Sequence, residues 1–207
     1  MFKQSISQGT RRVLEKVAQT DIATNFYLAG GTALAIQLGH RESIDLDWFC
    51  QKDFSNQKVK DNLSELGNFK LYSEEDGTLH GELDSVKITF LRYKYDLLYP
   101  VIAFENIKLA DERDISAMKI DAASSRGSKK DFIDLYFLLK KYSLTDLISF
   151  FEKKFSNIEY NKLHILKSLI YFEDAENEPT PLMLEKVDWE KVKEKITKEV
   201  LEYMKML

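Results

Sequence analysis

The period of the apolar residues changes near residue 110, and this change limits the folds that the chain can adopt. Before it, short segments with the pattern of strands occur at 26–29, 44–49, 68–73, 78–83, 86–93 and 103–109. After it, longer segments with helical spacing occur at 111–125, 129–142, 144–155, 160–172 and 189–206. A run of strands followed by a run of helices predicts an α+β fold with two subdomains, 1–110 and 111–207.

The first half also contains helical segments. We expect helices at about 3–21, 32–38 and 56–66, the first of them polar and amphipathic. The acidic run Glu74-Glu75-Asp76-Gly77 predicts a turn between two strands, since Asp-Gly is a hairpin signal. In the second half, the acidic segment 173–181 contains proline and predicts a link between the last two helices.

Composition excludes several classes of protein. The 207 residues have a net charge of −4, which argues against whole-surface nucleic-acid binding and leaves a local basic patch open. Cys50 is the only cysteine, so neither an intramolecular disulfide nor a zinc site of several thiolates is available. No signal peptide is evident, and no apolar run approaches the roughly 20 residues of a membrane span. We therefore expect a soluble, cytoplasmic protein without a membrane partner.

The segment Ala29–Phe49 contains the residues that indicate chemistry. Alternate residues of a strand share a face, so Asp45 and Asp47 are predicted to lie side by side while Ile44, Leu46 and Trp48 face the core. Two adjacent carboxylates repel each other unless a cation or a proton lies between them. Hard oxygen ligands of this kind suit Mg²⁺ or Mn²⁺, which bind carboxylates together with substrate phosphates.

A Gly30-Gly31-Thr32 turn precedes this strand at the start of a predicted helix. Glycines allow close approach of backbone N–H groups to a phosphate, the helix N-terminus favours an anion, and Thr32 adds a hydroxyl donor. A Gly-Gly pair is usually only a turn, and an Asp-x-Asp strand is usually only a solvated face. Their order, with thirteen residues between Gly31 and Asp45, instead indicates one site for metal-assisted transfer from a nucleoside triphosphate.

The same arrangement resembles the DNA-polymerase-β-like nucleotidyltransferases, and a second motif narrows the resemblance. GGTALAIQLGHRESIDLDWF at 30–49, followed by DISAMKIDAASSRGSKKDFIDLYFLL at 114–139, is similar to the AbiEii/AbiGii toxin family of nucleotidyltransferases. The resemblance implies a mixed sheet with flanking helices, followed by a helical subdomain that completes the active-site cleft.

The resemblance also implies roles in the first motif. Gly30, Gly31 and Thr32 match the loop that binds the triphosphate, and Asp45 and Asp47 match the catalytic metal ligands. Ser43 would support the loop. Arg41 would contact a phosphate, although the residue type and position fit equally well an exposed cation at a helix end.

The second motif contains three candidate site residues, and one of them, Asp131, matches an acidic position of the family. If one helix contains both Lys119 and Arg126, their seven-residue spacing puts them on one face, where they could neutralise charge on the pyrophosphate leaving group. Asp131 would orient Lys119 or approach the metal. The alternative is a solvated face of charges with an internal salt bridge.

One departure from the superfamily pattern concerns a third carboxylate, which often lies on a later strand and deprotonates the acceptor. The best candidate strand, 86–91, has no acid, which leaves Glu82, Asp84 or Asp131 as alternatives and the general base unassigned.

The resemblance thus implies transfer of an NMP from an NTP to a hydroxyl, with the tRNA 3′ end as a candidate acceptor. The protein would be the toxin of a toxin–antitoxin or abortive-infection system, with an antitoxin encoded by the adjacent gene. Two alternatives remain open: an antibiotic-type enzyme acting on a small molecule, and a non-catalytic nucleotide-binding module of the same fold.

Overall fold

In the computed structural model, which describes residues 1–207, the chain forms two compact units. The first is Met1–Asp111 and the second is Glu112–Leu207. The first unit contains all the strands and the second only helices. The predicted α+β fold is therefore confirmed.

The first unit is built on one mixed sheet of seven strands. The strands are β1 (Tyr27–Leu28), β2 (Leu46–Cys50), β3 (Phe69–Glu75), β4 (Thr78–Leu83), β5 (Val86–Arg92), β6 (Ile102–Phe104) and β7 (Ile107–Leu109). Their order across the sheet is β3-β4-β5-β2-β1-β7-β6. The pairs β2–β5 and β1–β7 are parallel, and the other neighbours are antiparallel.

The helices of the first unit precede or separate these strands. They are a 3₁₀ helix (Lys3–Ser5), α1 (Gln8–Val17), α2 (Asp21–Asn25), α3 (Gly30–Leu38) and α4 (Asn56–Leu66). Helix α1 contacts β5, and α4 contacts β3 and β4. Leu46, Trp48 and Phe90 are fully buried, whereas Asp47 and Thr89 of the same strands stay partly exposed. One face of β2 and β5 therefore belongs to the core, and the other presents polar groups.

The N-terminal segment differs from the single helix predicted over 3–21. Ser7 accepts a hydrogen bond from the Thr10 N–H and so starts α1, while Thr20 caps α2 in the same way. Ile6, expected within the helix, instead pairs with Ser43 in an isolated parallel bridge. Serine and threonine side chains that satisfy free N–H groups therefore divide the predicted helix.

Two predictions about the strands were also wrong. The side chain of Ile44, expected in the core, is 61% exposed because β2 begins only at Leu46. The segment 103–109 forms the hairpin β6–β7 rather than one strand, with Glu105 at a φ of 52° in its turn. The β3–β4 hairpin with Asp76-Gly77 at its turn is confirmed, and Gly77 has the positive φ that such turns require.

The second unit consists of helices packed around α5. They are α5 (Glu112–Ser125), α6 (Lys129–Leu138), α7 (Leu144–Lys154), α8 (Lys162–Ser168), α9 (Glu173–Glu176) and α10 (Trp189–Met204). Helix α5 contacts α6, α7 and α8, and its residues Ile115 and Ile120 are fully buried. The predicted link at 173–181 includes the short helix α9. None of the helices combines the length and apolar character needed to cross a membrane.

Candidate active site

The turn between β1 and α3 brings the backbone of Gly30 against Asp47. Gly30 opens α3 at a φ of 66°, a conformation that side chains disfavour. A Cβ at Gly30 would lie 2.7 Å from Asp47 Oδ2, so the carboxylate occupies the space that any side chain here would need. The Ala29 N–H donates to the Asp47 carbonyl at 3.0 Å, which fixes the turn to β2.

Thr32 joins the turn to the segment that enters β2. Its buried Oγ1 donates to the Asp45 carbonyl and lies 2.8 Å from Ser43 Oγ. A hydroxyl has one proton, so when Thr32 donates to the carbonyl, the Ser43 hydroxyl donates to Thr32. In this structure the Thr32 proton therefore holds Asp45 in place, which differs from the phosphate contact predicted for it.

The side chains of Arg41 and Ser43 lie against Gly31. Arg41 is only 3% exposed, so it is not the exposed helix-end cation that the sequence left open. Its Nη1 donates to the Glu42 carbonyl at 3.1 Å, and its Nη2 would lie 2.5 Å from a Cβ at Gly31. The Ser43 N–H donates to the Ser5 carbonyl at 2.8 Å. A fixed positive charge therefore lies beside the glycine turn.

Asp45 and Asp47 meet the requirements of a divalent cation in part. Both stay partly exposed, while Leu46 between them is fully buried. Across the 207 described residues, no three acidic, histidine or cysteine side chains converge as a complete metal site. Mg²⁺ commonly binds one or two carboxylates and completes its shell with water and phosphate. Two partly exposed carboxylates are therefore donors of the type that such a cation takes together with a triphosphate.

The predicted residues of the second motif form a separate cluster within the second unit. Lys119 is 4% exposed, and its ammonium lies 2.8 Å from Asp131 Oδ1 and 2.6 Å from Asp134 Oδ2. Arg126 lies just beyond the end of α5, and its Nε and Nη2 donate to the two Asp131 oxygens at 2.9 and 3.2 Å. Ser128 Oγ donates to Asp131 Oδ2 at 2.6 Å. Two cations and two carboxylates thus form one network without net charge.

The network determines the protonation state of Asp131. Burial raises the pKa of this carboxyl, but the charge of Lys119 and the hydrogen bonds from Arg126 outweigh burial and lower the pKa to about 2. Asp131 is therefore ionised throughout the physiological range. The Lys119 ammonium is already balanced by two carboxylates, unlike an isolated phosphate-binding lysine.

Sequence comparison shows the family of the chain. The model of the AbiEii nucleotidyl transferase toxin family, of type IV toxin–antitoxin systems, matches residues 12–101. A protein from Aquifex aeolicus, described as uncharacterised, is 38% identical over 209 residues and covers 97% of this chain and 98% of its own length. The chain belongs to the AbiEii nucleotidyltransferase toxin family. The family inferred from the sequence is confirmed, and the match contains the whole of the first motif and ends before the second.

Solved structures support the same fold for this AbiEii-family protein. A proposed nucleotidyltransferase from Helicobacter pylori has a TM-score of 0.59 at 19% identity and covers 95% of this chain and 92% of its own. The nucleotidyltransferase toxin MenT4 from Mycobacterium tuberculosis has a TM-score of 0.53 at 14% identity and covers 94% of this chain and 86% of its own. At these identities, the likeness is one of fold.

Glu82 and Asp84, two of the candidates for the third carboxylate, have other partners. Glu82 binds Tyr72 and Lys70 of β3, the strand on the far side of β4 from β2. Asp84 lies in the β4–β5 turn with a φ of 50°, pairs with Lys16 at 2.6 Å and accepts the Asn68 N–H. Each carboxylate therefore has a structural role where it lies.

The structure adds residues that sequence reasoning did not include. Asp134 lies in the second motif without a predicted role, yet it is fully buried against Lys119, and Ser128 donates a further hydrogen bond to Asp131. The spacing of Asp131 and Asp134, three residues apart on one helix, is the signal that was available. Thr89 and His80 have no local sequence signal, because their place in one row with Asp47 depends on strand register.

Proposed function

We propose that this AbiEii-family toxin transfers an NMP from an NTP to a hydroxyl acceptor, with catalysis that depends on Mg²⁺ or Mn²⁺. The observation that supports this most strongly is the contact between the two parts of the first motif. Asp47 lies directly over Gly30, and Arg41 lies directly beside Gly31. The carboxylate that would bind the cation thus lies next to the turn and the arginine that would bind the phosphates.

The glycine turn binds the triphosphate in this proposal. Backbone N–H groups at the first turn of α3 point toward the phosphates, and the helix N-terminus adds a partial positive charge. Arg41 adds a full charge that burial keeps from solvent screening. Thr32 and Ser43 keep the loop and Asp45 in register.

Asp45 and Asp47 would hold the divalent cation. When bound there, the cation supplies Lewis-acid polarisation of the α-phosphate and neutralises charge on the triphosphate. The contribution of the protein is to place one carboxylate just before β2 and the other on β2, next to the glycine turn.

The resemblance of the second motif supports roles for three further residues. We propose Lys119 and Arg126 as the cations that offset charge on pyrophosphate, and Asp131 as the carboxylate that orients Lys119. Arg126 has a side chain that is 62% exposed, whereas Lys119 is buried. Of the two cationic side chains, that of Arg126 is therefore the more accessible to a ligand.

The acceptor proposed is an RNA 3′ hydroxyl, with tRNA as the first candidate to test. A type IV toxin–antitoxin family also supports an antitoxin, encoded by the adjacent gene, as the cognate partner. We also propose that the protein acts in the cytoplasm, where NTPs and tRNA are found. A small hydroxylated acceptor is the alternative, and product analysis after incubation with either class distinguishes the two.

A nucleotide-binding module without activity is a second candidate, favoured by the other uses of Glu82 and Asp84. Both functions predict that a non-hydrolysable NTP analogue binds with Mg²⁺, as measured by calorimetry. The Asp45→Asn/Asp47→Asn variant should lose this binding while keeping its melting temperature. A control, Asp61→Asn/Glu65→Gln, removes the same charge from the exposed face of α4 and should bind normally. Normal binding by the first variant would refute the assigned site.

A further inference from the structure

One row of side chains crosses the open face of the sheet at the level of Asp47. Asp47 on β2 is in register with Thr89 on β5, and Thr89 is in register with His80 on β4. Register partners share a face of the sheet, and in the antiparallel pair Thr89–His80 the Cβ atoms lie about 4.5–5.5 Å apart. All three residues are partly exposed, while Trp48, Phe90 and Leu79 of the adjacent row are fully buried. Thr89 is therefore the side chain that β5 places beside Asp47.

The Thr89 hydroxyl is connected to an imidazole. His80 Nδ1 lies 3.2 Å from Thr89 Oγ1. When the ring proton is on Nε2, the threonine hydroxyl donates to Nδ1, and its oxygen can accept a hydrogen bond from a further hydroxyl. The pair Thr89–His80 thus links the sheet position in register with Asp47 to a nitrogen base.

We propose that Thr89 binds the acceptor hydroxyl beside Asp47 and passes its proton to His80 during nucleotidyl transfer. This inference rests on the proposed function. The acceptor oxygen forms a bond to the α-phosphorus, and the bond from that phosphorus to the bridging oxygen of the β-phosphate breaks, releasing pyrophosphate. The acceptor proton moves to Thr89 Oγ1 as the Thr89 proton moves to His80 Nδ1. The pair thereby does the work of the missing third carboxylate.

The charged groups on the same face are arranged around this path. Glu82 follows His80 by two residues on β4, Lys87 precedes Thr89 by two on β5, and the two are in register with each other. Glu82 is held toward β3 by Tyr72 and Lys70. The acid closest along the strand to His80 is therefore directed away from Asp47, and the imidazole is the base that contacts Thr89.

Four substitutions separate proton acceptance from folding and from orientation. Thr89→Val removes the hydroxyl, and Thr89→Ser retains it. His80→Gln can still hydrogen-bond to Thr89 but cannot take a proton, and His80→Ala leaves space for free imidazole. His164→Ala, on the exposed surface of α8, is the matched control. The assay measures label transferred from α-labelled NTP to a total tRNA pool, and calorimetry with a non-hydrolysable NTP and Mg²⁺ measures substrate binding.

General bases contribute about 100-fold or more, so Thr89→Val, His80→Gln and His80→Ala should each lower kcat by about that factor with unchanged NTP affinity. Thr89→Ser should retain activity, and imidazole should partly restore His80→Ala. Adding Thr89→Asp to His80→Ala should also restore transfer, because it places a carboxylate beside Asp47. If the wild type is active and Thr89→Val or His80→Gln is equally active, the proton relay is refuted and the proposed nucleotidyl transfer is not. Lack of transfer by the wild type would overturn the proposed acceptor class and, with it, this inference.

Discussion

Replacing Lys119 by Met tests the charge network of the second unit. Methionine keeps most of the aliphatic volume and removes the ammonium that lies against Asp131 and Asp134, both fully buried. Asp131 retains Arg126 and Ser128, but Asp134 loses the ammonium that lies 2.6 Å from it. A buried carboxylate deprived of its counter-ion is strongly unfavourable, because desolvation is no longer offset.

Breaking a buried ion pair by removing one partner costs about 3–5 kcal/mol, which for a chain of this length lowers the melting temperature by about 6–20 °C. Circular dichroism melts of Lys119→Met and of Lys130→Met, an exposed lysine on α6, provide the comparison. The Lys130 variant should melt like the wild type. Adding Asp134→Asn to Lys119→Met should recover much of the loss, since it removes the buried negative charge that lay 2.6 Å from the lost ammonium.

A loss of stability below about 1 kcal/mol in Lys119→Met would refute this reasoning, because it would mean that the buried charges do not depend on one another. The same variant, assayed well below its melting temperature, measures any separate contribution of Lys119 to transfer.

Two further predictions concern the glycine turn and the acid stability of the network. Gly31→Ala should weaken binding of an NTP analogue about tenfold or more, because the added Cβ would displace Arg41 Nη2. The control is Gly9→Ala, whose Cβ would meet nothing nearer than 3.7 Å. Equal affinities of Gly31→Ala and the wild type would mean that Gly31 only forms a turn. Folding lowers the pKa of Asp131 from 3.8 to about 2, so the ionised carboxylate should add about 2 kcal/mol to the free energy of unfolding above pH 4. This added stability should disappear as the pH falls from 4 to 2. Urea titrations at pH 5 and pH 2.5 should show this loss in the wild type and a smaller one in Asp131→Asn; equal losses would contradict the assignment.

Local signals predicted the helices and the strand pair that make up the motif. The bounds of α4, for example, agree with the sequence, and β2 contains Asp47 as the alternation of apolar and acidic residues indicated. Ile44 shows where alternation fails. The predicted strand begins two residues too early, because nothing in the local sequence indicates that pairing with β5 starts at Leu46.

Contacts between residues distant in sequence could not be predicted in the same way. The hydrogen bond from Thr32 to the Asp45 carbonyl, and the placement of Gly30 under Asp47, depend on how α3 returns the chain to β2. The row from Asp47 to His80 depends on the register of three strands. Register is set by which apolar residues enter the shared core, and this is a property of the assembled sheet.

The central claim is that Asp45 and Asp47, with the glycine turn, transfer a nucleotide. Its most direct test is incubation of the wild type and of Asp45→Asn/Asp47→Asn with α-labelled NTP, Mg²⁺ and a tRNA pool, followed by separation of labelled RNA and pyrophosphate. We expect labelled RNA and stoichiometric pyrophosphate from the wild type, loss of both on chelation of Mg²⁺, and neither from the double variant. Undiminished transfer by the double variant would contradict the claim.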